Sequence, residues 1–272
     1  MYPHPLFPPH ETRPRPESAA DRFPELHLYL GSRCNRACFF CTVRGEPDGW
    51  IGQFSPELVE RIRAWVAPEG NLKLYGGEPT LEVEAVLALL AELRRGGFAG
   101  WFTVFTNGVQ AERVIRLLEA DPRLEVVLNH SILYGLGVEP LPPASRALLI
   151  AAAPRFPGRI FASHADLAPA GRALTPEGAL PDQGLAAFGG QCPRCWPVLT
   201  ARGELYACPF PVEDRLPHHH LGEAAVLRPP EAVAGHRSFL DWIERELEPR
   251  ARAAGVHPCR LCAAPPGGAG SP

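Results

Sequence analysis

Cys34-Asn-Arg-Ala-Cys38-Phe-Phe-Cys41 is the stretch on which the reading of this chain turns. Its spacing is C-x3-C-x2-C, and it directly follows a strand-like run at 26–30. Three thiolates on one loop can hold three irons of a cubic 4Fe–4S cluster, which leaves the fourth iron without a protein ligand. An open coordination position separates a reactive metal centre from a structural one. The alternative is a zinc knuckle, but structural zinc takes four ligands, usually from two CxxC-type pairs. This loop would need a distant fourth partner.

Gly76-Gly77-Glu78-Pro79-Thr80 follows Asn71-Leu-Lys-Leu-Tyr75, an alternating strand. A helix-like run over 81–95 comes next, with Thr80 as its N-cap and Gly96-Gly97 as its stop. The paired glycines permit close approach of a ligand to the backbone. The peptide carbonyls and Glu78 can accept hydrogen bonds from an ammonium group. Alone, the segment also fits an ordinary strand-to-helix turn. It stands 35 residues after Cys41, at the end of the next strand.

The cysteine triplet and this GGEP segment together resemble the radical S-adenosylmethionine (SAM, or AdoMet) superfamily. The resemblance implies a 4Fe–4S cluster on Cys34, Cys38 and Cys41 whose open iron chelates the amino and carboxylate groups of SAM. It places Gly76, Gly77, Glu78 and Pro79 at the amino group. It also implies that the reduced cluster cleaves SAM to a 5′-deoxyadenosyl radical. The family holds the ribose and carboxylate with polar residues at later strand ends. By that likeness Thr106 and Asn107, after a strand at 101–105, and Ser131, after one at 124–129, contact SAM. On the residues alone Asn107-Gly108 is a turn and Ser131 a cap. His164, at the end of a fifth strand, points nearer the same cavity, with a satisfied polar residue as the alternative. Phe39 and Phe40 are read as a shield for the cluster; the family often has an aromatic residue where Phe40 stands.

Strand-like segments near 26–30, 71–75, 101–105, 124–129 and 159–163 alternate with helix-like segments near 55–66, 81–95, 110–120 and 144–153. The first helix carries clear signals: Ser55 as cap, Pro56 in the first turn, and Leu58, Val59, Ile62, Trp65 and Val66 on one face. Such alternation predicts a parallel sheet with right-handed crossovers. Ligands bind at the C-terminal strand ends of such sheets, which is where the motifs fall. The expected fold is α/β, a partial (β/α) barrel of five or six strands over 25–190, after a proline-rich segment at 1–24. The long loop at 31–53 is explained by wrapping a cluster. Residues 184–188 are the one candidate for a sixth strand.

Cys192, Cys195, Cys208, Cys259 and Cys262 form a second group. The stretch between Cys195 and Cys208 reads as a hairpin turning at Arg202-Gly203. An amphipathic helix at 238–252 leads to Cys259-Arg-Leu-Cys262. Five thiols are one more than a closed 4Fe–4S cluster needs. The spacing C-x10-G-x4-C followed by a distant CxxC resembles the shortened SPASM, or twitch, domain. That likeness implies an auxiliary cluster on Cys192, Cys208, Cys259 and Cys262 within a small domain at 191–264. A competing likeness is to the molybdenum-cofactor cyclases, whose C-x2-C-x13-C is one residue longer than the C-x2-C-x12-C of Cys192, Cys195 and Cys208. Those enzymes leave the second cluster open to substrate. Zinc is the alternative for this group too. Cys195 is left as a ligand, a buried hydrophobe or a hydrogen-atom donor to a substrate radical. His218-His219-His220 is read as a surface loop, since three adjacent histidines cannot all face one ion. Residues 265–272 read as a disordered tail.

A chain of 272 residues suffices for one barrel-like domain with a small appendage, and 46% hydrophobic content predicts a sizeable core. A net charge of −3 gives no broad electrostatic case for nucleic acid or membrane. There is no apolar stretch of about 20 residues, and the N-terminus lacks the apolar core of a signal peptide. Eight cysteines grouped for metal point to a reducing, cytoplasmic setting. Lys73 is the only lysine among 27 Lys and Arg, which a GC-rich coding sequence explains more simply than anion binding. The expected function is a radical SAM oxidation of a small polar metabolite, with flavodoxin or ferredoxin as reductant. Modification of a peptide substrate is the alternative, and a non-catalytic zinc scaffold is the rival of another class.

Overall fold

The computed structural model describes residues 7–10, 21–129, 141–163, 171–174, 191–210, 212–213 and 219–262. Strands β1 (Phe23–Tyr29), β2 (Val66–Tyr75), β3 (Trp101–Thr106), β4 (Leu124–Leu128) and β5 (Ile160–Ala162) pair in parallel, each beside the next. Helices α1 (Pro56–Trp65), α2 (Val83–Arg95), α3 (Ala111–Ala120) and α4 (Pro143–Ala152) lie between them in sequence. This is the α/β plan that the alternation predicts.

The sheet then continues on the far side of β1. Strand β6 (Val198–Thr200) pairs with β1 in parallel, and β7 (Glu204–Tyr206) and β8 (His220–Glu223) follow antiparallel. The order is β5-β4-β3-β2-β1-β6-β7-β8. The hairpin expected at Arg202-Gly203 is present, with Gly203 at φ 88. Its first arm is the sixth parallel strand, so the sheet runs unbroken across the boundary drawn at residue 190. Residues 184–188 lie outside the described residues.

Period-two alternation sorts the two faces of the sheet. Leu26, Leu28, Leu72, Leu74, Phe102, Val104 and Val126 join the main core with the buried stripes of α1, α2 and α3. The intervening residues carry charge. Lys73 Nζ lies 2.8 Å from Glu25 Oε1, and His27 Nε2 lies 3.2 Å from the same oxygen. The single lysine is therefore buried in an ion pair, a structural role that composition alone did not suggest. Farther along, Thr103 donates to Glu125 Oε1 at 2.9 Å and His10 Nε2 lies 2.7 Å from it. His10 is brought there because residues 8–10 run beside β5: Ala162 N donates to Pro8 O and His10 N to Ala162 O, both at 2.9 Å.

The start of α2 differs from expectation. Pro79–Glu82 is a 3₁₀ turn, and the side chain that accepts from Thr80 N is Glu78, at 3.0 Å. Thr80 is buried and gives its hydroxyl to Glu78 instead of capping. Near the C-terminus, α5 (Pro229–Trp242) begins well before residue 238. Arg228 N donates to the Glu231 carboxylate at 3.0 Å, and the prolines at 229 and 230 fit the first turn. A π-helical segment, Ile243–Leu247, leads into α6 (Glu248–Ala254), and α7 (Pro258–Cys262) carries the last two cysteines. No helix among the described residues is long and apolar enough to cross a membrane.

Candidate functional site

The loop after β1 is folded back on itself by backbone bonds. Arg33 N donates to Trp50 O at 2.9 Å, Cys34 N to Glu46 O at 2.8 Å and Gly52 N to Leu30 O at 2.8 Å. Between these legs the chain turns at the cysteines: Cys41 N donates to Cys38 O at 3.1 Å, and Gly45 N donates to Cys41 Sγ at 3.1 Å. A methyl group on Gly45 would lie 3.2 Å from Gly77 Cα, 3.3 Å from Cys34 Cβ and 3.6 Å from Cys41 Sγ. Two of the three cysteines and Gly77 therefore surround one point.

Arg172, on the 3₁₀ turn Gly171–Leu174, fastens this loop. Its Nε donates to Cys38 O at 2.8 Å, its backbone N to Cys41 O at 2.9 Å, and its guanidinium also reaches Gly45 O. Gly171 sits at φ 56, where an added Cβ would be 2.4 Å from Thr42 O. Arg172 was not singled out from the sequence. The segment has no periodicity, and an arginine after a glycine carries no signal.

Burial pushes the Cys34 thiol up to about 12, with a backbone bond from Arg36 opposing and Glu78, Cys41 and Cys38 adding to the rise. Burial and then Cys41 raise Cys38 in the same way. Converging thiolates of this kind are stabilised by a cationic iron centre, and the donor set fits one. Phe40 is buried beside the loop and Phe39 packs edge-on against it.

The GGEP segment is held against the first leg of the loop. Gly77 N donates to Gly31 O at 2.7 Å and Glu78 N to Arg33 O at 2.9 Å. A Cβ on Gly76, which lies at φ 146, would be 2.4 Å from Gly31 O, and one on Gly77 would be 2.0 Å from Arg33 O. The close approach that these glycines allow is thus made by the protein's own backbone. The Glu78 carboxylate is buried and occupied. Oε1 accepts from Thr80 N at 3.0 Å, Thr80 Oγ1 at 2.6 Å and Thr106 Oγ1 at 2.7 Å, while Oε2 accepts from Asn107 N at 2.7 Å. Burial raises the Glu78 pKa, and these donors oppose the rise. Glu78 and Thr106 therefore bind each other and tie the end of β2 to the end of β3. Pro79 opens the 3₁₀ turn and is buried.

Asn107 is both a turn residue and a neighbour of the cysteines. Its Oδ1 accepts from Val109 N at 3.0 Å, and its Nδ2 donates to Asn35 Oδ1 at 2.7 Å and lies 3.8 Å from Cys34 Sγ. Asn35 was not singled out from the sequence. Ser131 and His164 lie outside the described residues.

The other five cysteines border one pocket, which His219 and Phe239 also line. Cys192 N donates to Glu248 Oε1 at 3.2 Å, and Cys259 N to His257 Nδ1 at 3.1 Å. Burial pushes Cys192 up to about 11 and Cys262 to about 12. Cys195 is raised by a hydrogen bond with Cys208 and by burial, and it also feels Lys73 and Glu25. His219 corrects the expectation of a surface loop. It is buried at 1% exposure, and its Nε2 lies 3.0 Å from Cys262 Sγ. His220 next to it is exposed and begins β8.

No protein-family model matches the chain. A protein named "Probable GTP 3',8-cyclase" from Sulfurisphaera tokodaii is 36% identical over 87 residues, and one of the same name from Metallosphaera sedula is 33% identical over 87. The matched stretch is 31% of this chain and 27% and 26% of theirs, so the chain spans about a quarter of these relatives' length. Among solved structures, BtrN in complex with AdoMet and 2-DOIA matches with a TM-score of 0.59 at 15% identity, over 86% of this chain and 91% of that one. The anSMEcpe structure with bound AdoMet matches at 0.57 and 15% identity, over 87% and 84%. Its complex with AdoMet and the Kp18Cys peptide matches at 0.52 and 15% identity, over 79% and 82%. The chain has the fold of radical SAM enzymes.

Proposed function

We propose that the chain is a radical SAM enzyme in which Cys34, Cys38 and Cys41 hold a 4Fe–4S cluster, with SAM between that cluster and the 76–79 turn. One observation carries the reading. The cysteine loop, the glycine pair and Asn107 meet at the C-terminal ends of β1, β2 and β3, the ligand-binding end of a parallel sheet. When bound, the first cluster supplies reductive cleavage of SAM to a 5′-deoxyadenosyl radical, and a second cluster supplies an acceptor for the second electron of an oxidation.

The chain's own residues set the stage for that chemistry. Arg172 and the Gly45 N–H fix the cysteine loop. Glu78 holds the strand ends in register, leaving the peptide groups of 76–78 to meet the SAM ammonium. Asn107 stands beside Cys34, and Phe40, within the cysteine loop, is itself buried. In this reading Cys192, Cys208, Cys259 and Cys262 close an auxiliary 4Fe–4S cluster, and the substrate is a small polar metabolite. The fold shared with BtrN, solved with 2-DOIA, supports a small substrate. The fold shared with the Kp18Cys peptide complex of anSMEcpe supports a second reading, modification of a peptide. Flavodoxin or ferredoxin would reduce the first cluster, in the cytoplasm.

Addition of SAM to the anaerobically reconstituted, dithionite-reduced protein should change the electron paramagnetic resonance (EPR) spectrum. The Cys34/Cys38/Cys41→Ala triple variant should show no such change. A parent spectrum indifferent to SAM overturns the reading. Bound zinc without iron or sulfide would make the chain a scaffold.

A further inference from the structure

His219 lies in the cavity of the second cysteine group and belongs to none of the ligand sets considered so far. Three contacts fix its ring. Its backbone carbonyl accepts from Ala207 N at 2.7 Å, next to Cys208. Its imidazole packs at 61° against Phe239, with centroids 5.1 Å apart. Its Nε2 lies 3.0 Å from Cys262 Sγ. The side chain is therefore held at one sulfur by the backbone bond to Ala207 and an aromatic wall. A thiolate bound to iron accepts hydrogen bonds and does not donate them, so the ring must present Nε2–H to it. Hydrogen bonds to cluster sulfurs draw electron density from the metal and raise its reduction potential. With five thiols on the same cavity, the imidazole is not needed as a fourth ligand.

We infer that His219 is a positioning residue that donates an Nε2–H bond to the Cys262 thiolate and sets the potential of an auxiliary cluster. The inference rests on the auxiliary-cluster reading above. Its test uses the chain carrying Cys34/Cys38/Cys41→Ala, so that only the second group can hold iron. If that protein holds no iron and sulfide, the auxiliary-cluster reading itself fails and the inference falls with it. If it holds about four irons, redox titration followed by EPR compares it with His219→Leu and His219→Gln in the same background. The inference predicts unchanged iron, a lower potential in the Leu variant, and a potential near the parent's in the Gln variant, whose Nε2 restores a donor. Equal potentials in all three overturn it, as does loss of iron from both variants, which would make His219 a ligand. A second measurement needs no apolar substitution. With ¹⁵N-histidine, the reduced cluster should show a weak nitrogen coupling that disappears in His219→Gln. A coupling of the size of a directly bound nitrogen, or one that persists in His219→Gln, overturns the inference.

Discussion

Glu78 shows how a residue can be found in the sequence while the partners of its side chain stay hidden. GGEP marked the position, and the reading gave its carboxylate to a ligand. The structure gives that carboxylate to Thr80, Thr106 and Asn107. Removing it leaves buried donors unmatched, at about 1–3 kcal/mol each. Glu78→Ala should therefore cost about 3 kcal/mol or more in urea unfolding of the metal-free chain. A loss under about 1 kcal/mol would contradict the geometry. Gly77 makes the same point. Its spacing predicted room for SAM, but the nearest atom to an added side chain is Arg33 O, at 2.0 Å. Gly77→Val should thus lower iron at the first cluster together with SAM affinity. Full iron with SAM binding alone lost would favour the ligand explanation. No sequence can say whether a glycine makes way for a ligand or for the protein's own loop.

At the level of elements, local signals were legible and non-local ones were not. The 3.6-residue stripes placed α1, α2 and α3, and Arg202-Gly203 placed the hairpin. Strand β6 is only three residues long and exists because it pairs with β1, a partner far away in sequence. The same distance hid the bond between Lys73 and Glu25. Burial raises the Glu25 carboxyl, but His27, by hydrogen bond and charge, and then Lys73 hold it well below its ordinary 4.5. Its folded value is depressed, so the stability it contributes is present above about pH 4.5 and is lost as the pH falls below that. Lys73→Met should lower stability at pH 7 by about 3 kcal/mol, the cost of stranding a buried partner. It should also flatten the acid limb of a urea-midpoint curve. Parallel curves for parent and variant would show that Lys73 does not act on Glu25. Arg172 joins a short turn to the cysteine loop in the same non-local way. Arg172→Gln should reduce iron at the first cluster and spare the second group. Equal iron at both would remove its proposed role.

Across the whole molecule, one sheet runs from the strands beside the first cysteine loop into the hairpin that precedes Cys208. The two cysteine groups are therefore parts of one framework, with Cys195 next to Cys208 and within the field of Lys73 and Glu25. If Cys192, Cys208, Cys259 and Cys262 close the second cluster, Cys195→Ala should keep about eight irons per chain, two cubes' worth. A fall to about four would make Cys195 a ligand. The central claim, that the first three cysteines arm SAM for radical chemistry, is tested most directly by its by-product. The anaerobic, reduced protein incubated with SAM should form 5′-deoxyadenosine, measured by liquid chromatography with mass detection. The Cys34/Cys38/Cys41→Ala variant, with its second group still loaded with iron, should form none. Equal 5′-deoxyadenosine from parent and variant, or none from an iron-replete parent, would contradict the account.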